Sequence, residues 1–290
     1  MTSLYLVAFF ALVLLCKKTR RFGICFLPWM IYAVVYDSMR FYPNYMVNAV
    51  DTGGLYDLEK RLFGITLSSP EEMDAIAHAC HGTAEAIWES GLAIPGEWFA
   101  LHHNAFADIL SGICYLCWIP VPAFFAIWLF FSGRREWASR FSWAFLIVNL
   151  LGFAGYYIHP ASPPWYVINY GFDVVPGTPG NVAGLGRFDQ LFDVEIFHGM
   201  YSANSNVFAA MPSMHAAYLL VATVYSLMSR QRWWLSAFFA LLCGGIWFAA
   251  VYSQHHYILD VAAGATTVCV GIALYEMGRR VVEKKCRRLK

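Results

Sequence analysis

The sequence predicts an all-α fold: a polytopic membrane helix bundle of about six to seven spans, with an interfacial amphipathic segment and a long extracytoplasmic loop. Three observations carry this. Hydrophobic residues make up 59% of the 290 and charged residues only 13%, where a soluble domain carries roughly 25% charged residues. The apolar residues gather in runs close to the length of a membrane helix. Basic clusters at 17–21, 134–135, 230–232 and 279–290 alternate with those runs so that all four fall on one side. The positive-inside rule puts that side in the cytoplasm. A formal net charge of +1 argues against nucleic acid as a partner.

Residues 2–16 and 22–37 are apolar runs split by Lys17-Lys-Thr-Arg-Arg21. Both fall short of the roughly 20 residues of a comfortable span. The first run either crosses or lies at the interface, which sets the count at seven or six. It lacks a small-residue cleavage site, so no cleavable signal peptide is expected. Residues 38–104 carry Pro43, Gly53-Gly54 and a polar stretch around Pro70-Glu-Glu-Met-Asp74. This segment reads as interfacial, with one or two helices, too polar to cross. Spans are expected at about 105–131, 141–159, 212–229, 233–253 and 257–278, with a Pro- and Gly-rich connection from His159 to Ala210. One domain is expected over 1–290, with its core at about 141–278. Cys114 and Cys117 have C-x-x-C spacing inside an expected span, without further Cys or His nearby, so zinc or redox chemistry is not expected of them.

The chain is organised around Ala250-Val-Tyr-Ser-Gln-His-His-Tyr-Ile-Leu-Asp260. His256 and Asp260 are four residues apart and would share a helix face, whereas His255 points elsewhere. A carboxylate that holds an imidazole by its ring N–H leaves the other nitrogen free to attack. The alternative is a histidine and an aspartate that satisfy each other in a buried helix. A second stretch, Met211-Pro-Ser-Met-His215, ends the long loop and opens a span. Ser213 would cap that helix and His215 would sit in its first turn. Taken alone, that stretch reads as a cap with a surface histidine. Together the stretches put two histidines and one carboxylate at the outer end of membrane helices, where ionisable groups usually face a cavity. Such a set suits covalent phosphoryl transfer, with one imidazole attacking phosphorus and the other moving the proton.

The paired motifs resemble the type 2 phosphatidic acid phosphatase superfamily, in which Pro-Ser-x-His supplies the acid/base and a later His-x-x-x-Asp the nucleophile and its partner. Met211-Pro-Ser-Met-His215 and His255-His-Tyr-Ile-Leu-Asp260 look most like the inositol phosphorylceramide synthase branch. So do Ser162-Pro-Pro-Trp-Tyr166, Gly184-Leu-Gly-Arg-Phe-Asp189 and Leu55-Tyr-Asp-Leu-Glu-Lys-Arg-Leu-Phe-Gly64. The resemblance covers roughly 150–265, more weakly from about 37. It implies a membrane phosphotransferase that moves phosphoinositol from phosphatidylinositol to a ceramide-type lipid through a phosphohistidine on His256, without metal or other cofactor. The near alternative is a lipid phosphate phosphatase of the same superfamily. A haem-binding electron carrier and an inactive lipid-binding scaffold are rivals from other classes. The site would face the periplasm in a bacterial inner membrane, or the lumen in a Golgi-type membrane.

The chain departs from the superfamily's phosphatase pattern. His159-Pro160 stands where the phosphatases carry Arg-Pro, and Ala249-Ala250 where they carry Ser-Arg. A phosphomonoester carries between one and two charges near neutral pH, a phosphodiester only one. Fewer cations therefore suit a diester donor. Arg187 is the remaining cation in the outer loop and is assigned to phosphate binding, with Ser213 and His159 beside it. Asp37 and Arg40, one helical turn apart, are either an ion pair or headgroup contacts. His102, His103 and Asp108 stand at the outer entrance of a span and are candidates to touch a polyol headgroup.

Overall fold

The computed structural model describes residues 2–202 and 206–288. Residues 203–205 of the long loop and 289–290 of the basic tail lie outside them. The apolar runs form helices α1 (Thr2–Leu15) and α2 (Arg20–Ser38). The polar segment that follows forms α3 (Gly54–Phe63), α4 (Pro70–Ala79), α5 (Ala84–Ser90) and α6 (Pro95–Leu101). Next come α7 (Ala105–Leu116), α8 (Pro120–Phe131) and α9 (Arg135–Ile158). The long loop holds α10 (Pro164–Tyr170), α11 (Gly186–Phe192) and α12 (Ile196–Ser202). The chain ends in α13 (Met214–Met228), α14 (Trp233–Tyr252) and α15 (Ile258–Arg288).

Among the described residues, four helices are long and apolar enough to cross a membrane: α2, α9, α14 and α15. The chain is an integral membrane protein. Helices α7 and α8 make a fifth candidate as a pair bent by 43°. The sequence suggests one span there, over about 105–131. Pro120 and Pro122 lack backbone N–H groups, and the helix restarts at Pro120 rather than running through it. At 14 and 15 residues, α1 and α13 are shorter than a comfortable span. Length and composition therefore give four to five candidate spans, against the expected six to seven.

Between helices in lipid, association rests on packing and hydrogen bonds rather than on a hydrophobic drive. The central cluster shows both. Trp29 of α2 stacks on Phe145 of α9 at 4.2 Å and donates to Ser142 Oγ. Tyr218 of α13 donates to Asn149 Oδ1 of α9 at 2.6 Å. Phe124, Trp128 and Leu241 stay exposed on the outer surface of α8 and α14, as residues facing lipid chains do.

The segment 38–104 holds more helices than the one or two expected. It is a folded cap of four short helices, in which Ile76, Ala77, Cys80, Ile87 and Ala93 pack into a core with Ile168 of α10. An antiparallel ribbon closes it, pairing Ile65 with Ala93 and Thr66 with Leu92. Local capping sets the helix starts: Ser69 accepts from the Glu72 N–H with Pro70 following, and Asn104 accepts from the Ala107 N–H. Helices of 7 to 10 residues carry too few turns for their apolar stripe to stand out in the sequence.

Candidate active site

Helix α13 begins where its sequence says it should. Ser213 Oγ accepts the Ala216 N–H, and the backbone N–H of Ser213 donates to the Asp260 carbonyl at 2.9 Å. That second bond presses the start of α13 against the start of α15. Gly264 permits the approach: a Cβ there would lie 2.2 Å from the Ser213 carbonyl oxygen. Behind α13, Gly152 and Gly155 of α9 leave room for Met214 and Pro212 in the same way.

This contact brings the two motifs together. His215 Nδ1 lies 3.1 Å from His256 Nε2, and His256 Nδ1 lies 3.3 Å from Asp260 Oδ2. Asp260 Oδ2 also accepts the Tyr257 N–H at 2.9 Å. With its Nδ1–H given to the carboxylate, His256 keeps a lone pair on Nε2. His256 and Asp260 are 5% and 0% exposed. The spacing suggests that the two share a helix face, but they do not. Helix α15 starts only at Ile258, and Asp260 reaches back from its first turn as an acidic residue at that position commonly does.

The pair opens on a cavity of about 430 Å³ bounded by α2, α7, α9, α12 and α13. Its walls are aromatic and apolar, Tyr36, Trp118, Phe153 and Tyr218 among them, and none of the described lining residues is Lys or Arg. His255 points away from Asp260, as expected: its Nε2–H donates to the Val182 carbonyl at 3.1 Å and its ring stacks on Tyr201 at 4.3 Å. Burial pushes His255 down to about 3, so it stays a neutral imidazole. Tyr201, whose hydroxyl donates to Tyr115, and His255 form a wall of the cavity that sequence reasoning does not assign.

The other predicted residues sit elsewhere. Arg187 does not line the cavity. Its Nε donates to Asp108 Oδ1 at 2.6 Å, and its guanidinium lies over the Tyr252 ring. Asp108 also accepts from Tyr252 and lies 3.8 Å from His103. These residues tie α7, α11 and α14 together. His159 is half exposed and pairs with Asp51 at 3.3 Å. Asp37 and Arg40 bond each other. His102 stacks on Trp98 and faces Glu72. Ser213 is fully buried and its hydroxyl caps α13, which leaves it no open face for substrate. The sequence does not show these pairings, because charges near one end of a bundle find each other as readily as they find a ligand.

The family model described as the PAP2 superfamily matches residues 88–274, which hold both motifs. The chain belongs to the PAP2 superfamily. Within it, the chain is 49% identical over 278 residues to a phosphoinositol dihydroceramide synthase of Bacteroides thetaiotaomicron, covering 96% of this chain and 83% of that one. It is 30% identical over 177 residues to an inositol phosphorylceramide synthase of Candida albicans, covering 56% of this chain and 36% of the other. It is 29% identical over 167 residues to the catalytic subunit of inositol phosphorylceramide synthase of Saccharomyces cerevisiae, covering 56% and 40%. The resemblance read from the motifs, to an inositol phosphorylceramide synthase-like phosphotransferase, is thus borne out. No solved structure matches the chain.

Proposed function

We propose that this PAP2-superfamily enzyme transfers phosphoinositol from phosphatidylinositol to a ceramide-type lipid, by way of a phosphohistidine on His256. The observation that carries the reading is the chain His215–His256–Asp260, placed against an apolar cavity without lysine or arginine in its described walls. A diester phosphate with one charge suits such walls, and two lipid substrates suit their apolar character. The names of the relatives supply the headgroup and the acceptor class.

In the first step Nε2 of His256 forms a bond to phosphorus as the bond from phosphorus to the glycerol oxygen breaks. His215 gives its proton to that oxygen, and diacylglycerol leaves. In the second step His215 takes the proton of the acceptor's primary hydroxyl as its oxygen attacks phosphorus and the N–P bond breaks. Asp260 holds His256 by Nδ1 throughout, fixing the tautomer.

We further read six spans: α2, the α7–α8 pair, α9, α13, α14 and α15. Contacts between helix ends support this. Arg134 donates to the Ser229 carbonyl, and Arg140 bonds Glu276, gathering the basic ends on one side. That side would be cytoplasmic, and the cavity with the segment 38–104 would lie opposite, as one catalytic domain.

The test uses purified protein in detergent with inositol-labelled phosphatidylinositol, with and without ceramide. The expected product is a labelled sphingolipid that forms only with ceramide and is lost in His256→Ala. Labelled phosphatidylinositol left untouched in both tubes, with phosphatidic acid dephosphorylated in a parallel assay, would instead make the enzyme a phosphatase.

A further inference from the structure

We infer that Glu59 is a positioning residue for the reaction: its carboxylate caps α15 from another part of the fold, and thereby leaves Asp260 free to hold His256. The inference rests on the proposed roles of His256 and Asp260 and adds a residue to them.

The geometry is specific. Glu59 is 1% exposed on α3 and accepts the backbone N–H of Ile258 at 2.9 Å and of Leu259 at 3.2 Å. These are the first two residues of α15, whose N–H groups have no partner within the helix. The residue before them is Tyr257, which has no acceptor on a side chain short enough to cap. A serine or asparagine there would have done so locally. The chain instead brings in a carboxylate from about 200 positions away, into a place where burying an ion costs several kcal/mol.

Among the described residues, no cation forms a salt bridge with Glu59. Lys60, next to it, turns to the Ala86 carbonyl and the Tyr56 ring. Tyr56 in turn donates to Glu97 of α6. Two of the three buried polar side chains of α3 thus fix that helix to the cap, and the third is left facing α15.

Asp260 shows why this matters. Its Oδ2 already serves Tyr257 and His256, while its Oδ1 is buried without a partner among the described residues. It is also the only carboxylate in the first turn of α15. Without Glu59, the bare N–H groups of Ile258 and Leu259 would compete for it. Drawn inward, Asp260 would loosen its bond to His256 Nδ1, and the attacking nitrogen would lose its aim.

The experiment measures single-turnover transfer from labelled phosphatidylinositol by the full-length protein in detergent, with thermal unfolding of each variant alongside. Glu59→Ala is expected to slow transfer about 100-fold, the cost of a misplacement near 1 Å, with KM for both lipids within about threefold. Glu59→Gln keeps an acceptor oxygen and is expected to recover at least tenfold of that. In an Asp260→Asn background, Glu59→Ala is expected to cost less than about threefold, because residues acting as a unit are not additive. A 100-fold loss in both backgrounds, or transfer per folded enzyme unchanged in Glu59→Ala, would overturn the proposal. His256→Ala separates the two readings: activity retained there removes the reaction scheme itself, whereas a dead His256→Ala with additive Glu59 and Asp260 effects removes only the role of Glu59.

Discussion

The Nδ1 of His215 stands 3.1 Å from the Nε2 of His256, too close for a phosphorus atom and its oxygens to sit between them. Reacting atoms approach to roughly 3–3.5 Å before bond formation, and the leaving oxygen of an in-line displacement lies on the far side of phosphorus. In the proposed scheme His215 must therefore swing off His256 as the donor enters. Its place in the first turn of α13, beside a cavity rather than in packed core, gives it room to do so.

The scheme makes a covalent intermediate, and this can be trapped. Wild-type protein given labelled phosphatidylinositol without acceptor is expected to retain label that is lost in acid and survives in base, as an N–P bond does. His256→Ala is expected to take no label and to lower turnover by at least about 10³-fold, in line with losses of a nucleophile or its base. Label retained by His256→Ala would place the nucleophile elsewhere.

Gly264 sets how closely α13 and α15 meet. A methyl group there would strike the Ser213 carbonyl at 2.2 Å, and backbone cannot give way as a flexible side chain can. Gly264→Ala is expected to push His215 from His256 and to lower turnover about 100-fold. Gly278, on the same helix, has open space where its Cβ would stand, so Gly278→Ala is the control and should leave turnover unchanged. Equal activity in the two variants would show that the helix contact does not govern the site.

How much of this is legible in the sequence follows from the kind of signal each part leaves. The long helices α9, α14 and α15 are readable, because an apolar run near span length admits few other readings. That His215, His256 and Asp260 come together is readable from the family pattern, whose two motifs are each short although 41 residues separate His215 from His256. The cap is not, since its helices are short and its core is built from scattered residues such as Ile76 and Ile87. Glu59 is visible only as part of a familiar stretch. The role inferred for it depends on partners nearly 200 residues later, and no local pattern records such a pairing. Arg187 shows the limit from the other side: a lone cation in a loop suggests a ligand, and its bond to Asp108 is not visible in the sequence.

That ion pair makes a prediction about stability. Asp108 is 6% exposed, and Arg187 is its cationic partner at 2.6 Å. Removing one member of a buried pair leaves a charge uncompensated, at about 3–5 kcal/mol. Arg187→Met is expected to lower the unfolding temperature, and Arg187→Met with Asp108→Asn to restore most of it, read by tryptophan fluorescence in detergent. Loss of turnover in Arg187→Met at unchanged stability would return Arg187 to phosphate binding.

The last prediction concerns Glu59 and pH. Burial, with the Asp260 charge nearby, pushes the Glu59 carboxyl up to about 7 from an ordinary 4.5. The groups facing it are the Ile258 and Leu259 N–H donors and Asp260, with Lys60 turned away. Between those two values the folded chain holds a proton that the unfolded chain has released. Stability must then fall as pH rises through that window, by about 3 kcal/mol in all, since each tenfold difference in proton affinity between the two states is worth about 1.4 kcal/mol. Glu59→Gln has nothing to ionise. Its unfolding temperature relative to wild type is expected to rise steadily from pH 5 to pH 7 and to level off above about pH 8, while its turnover stays below that of wild type. A difference that is flat with pH would mean that Glu59 titrates in the folded chain as it does in the unfolded one. A rising difference would show a carboxyl whose ionisation the fold opposes, and residues held that way are found where function requires them.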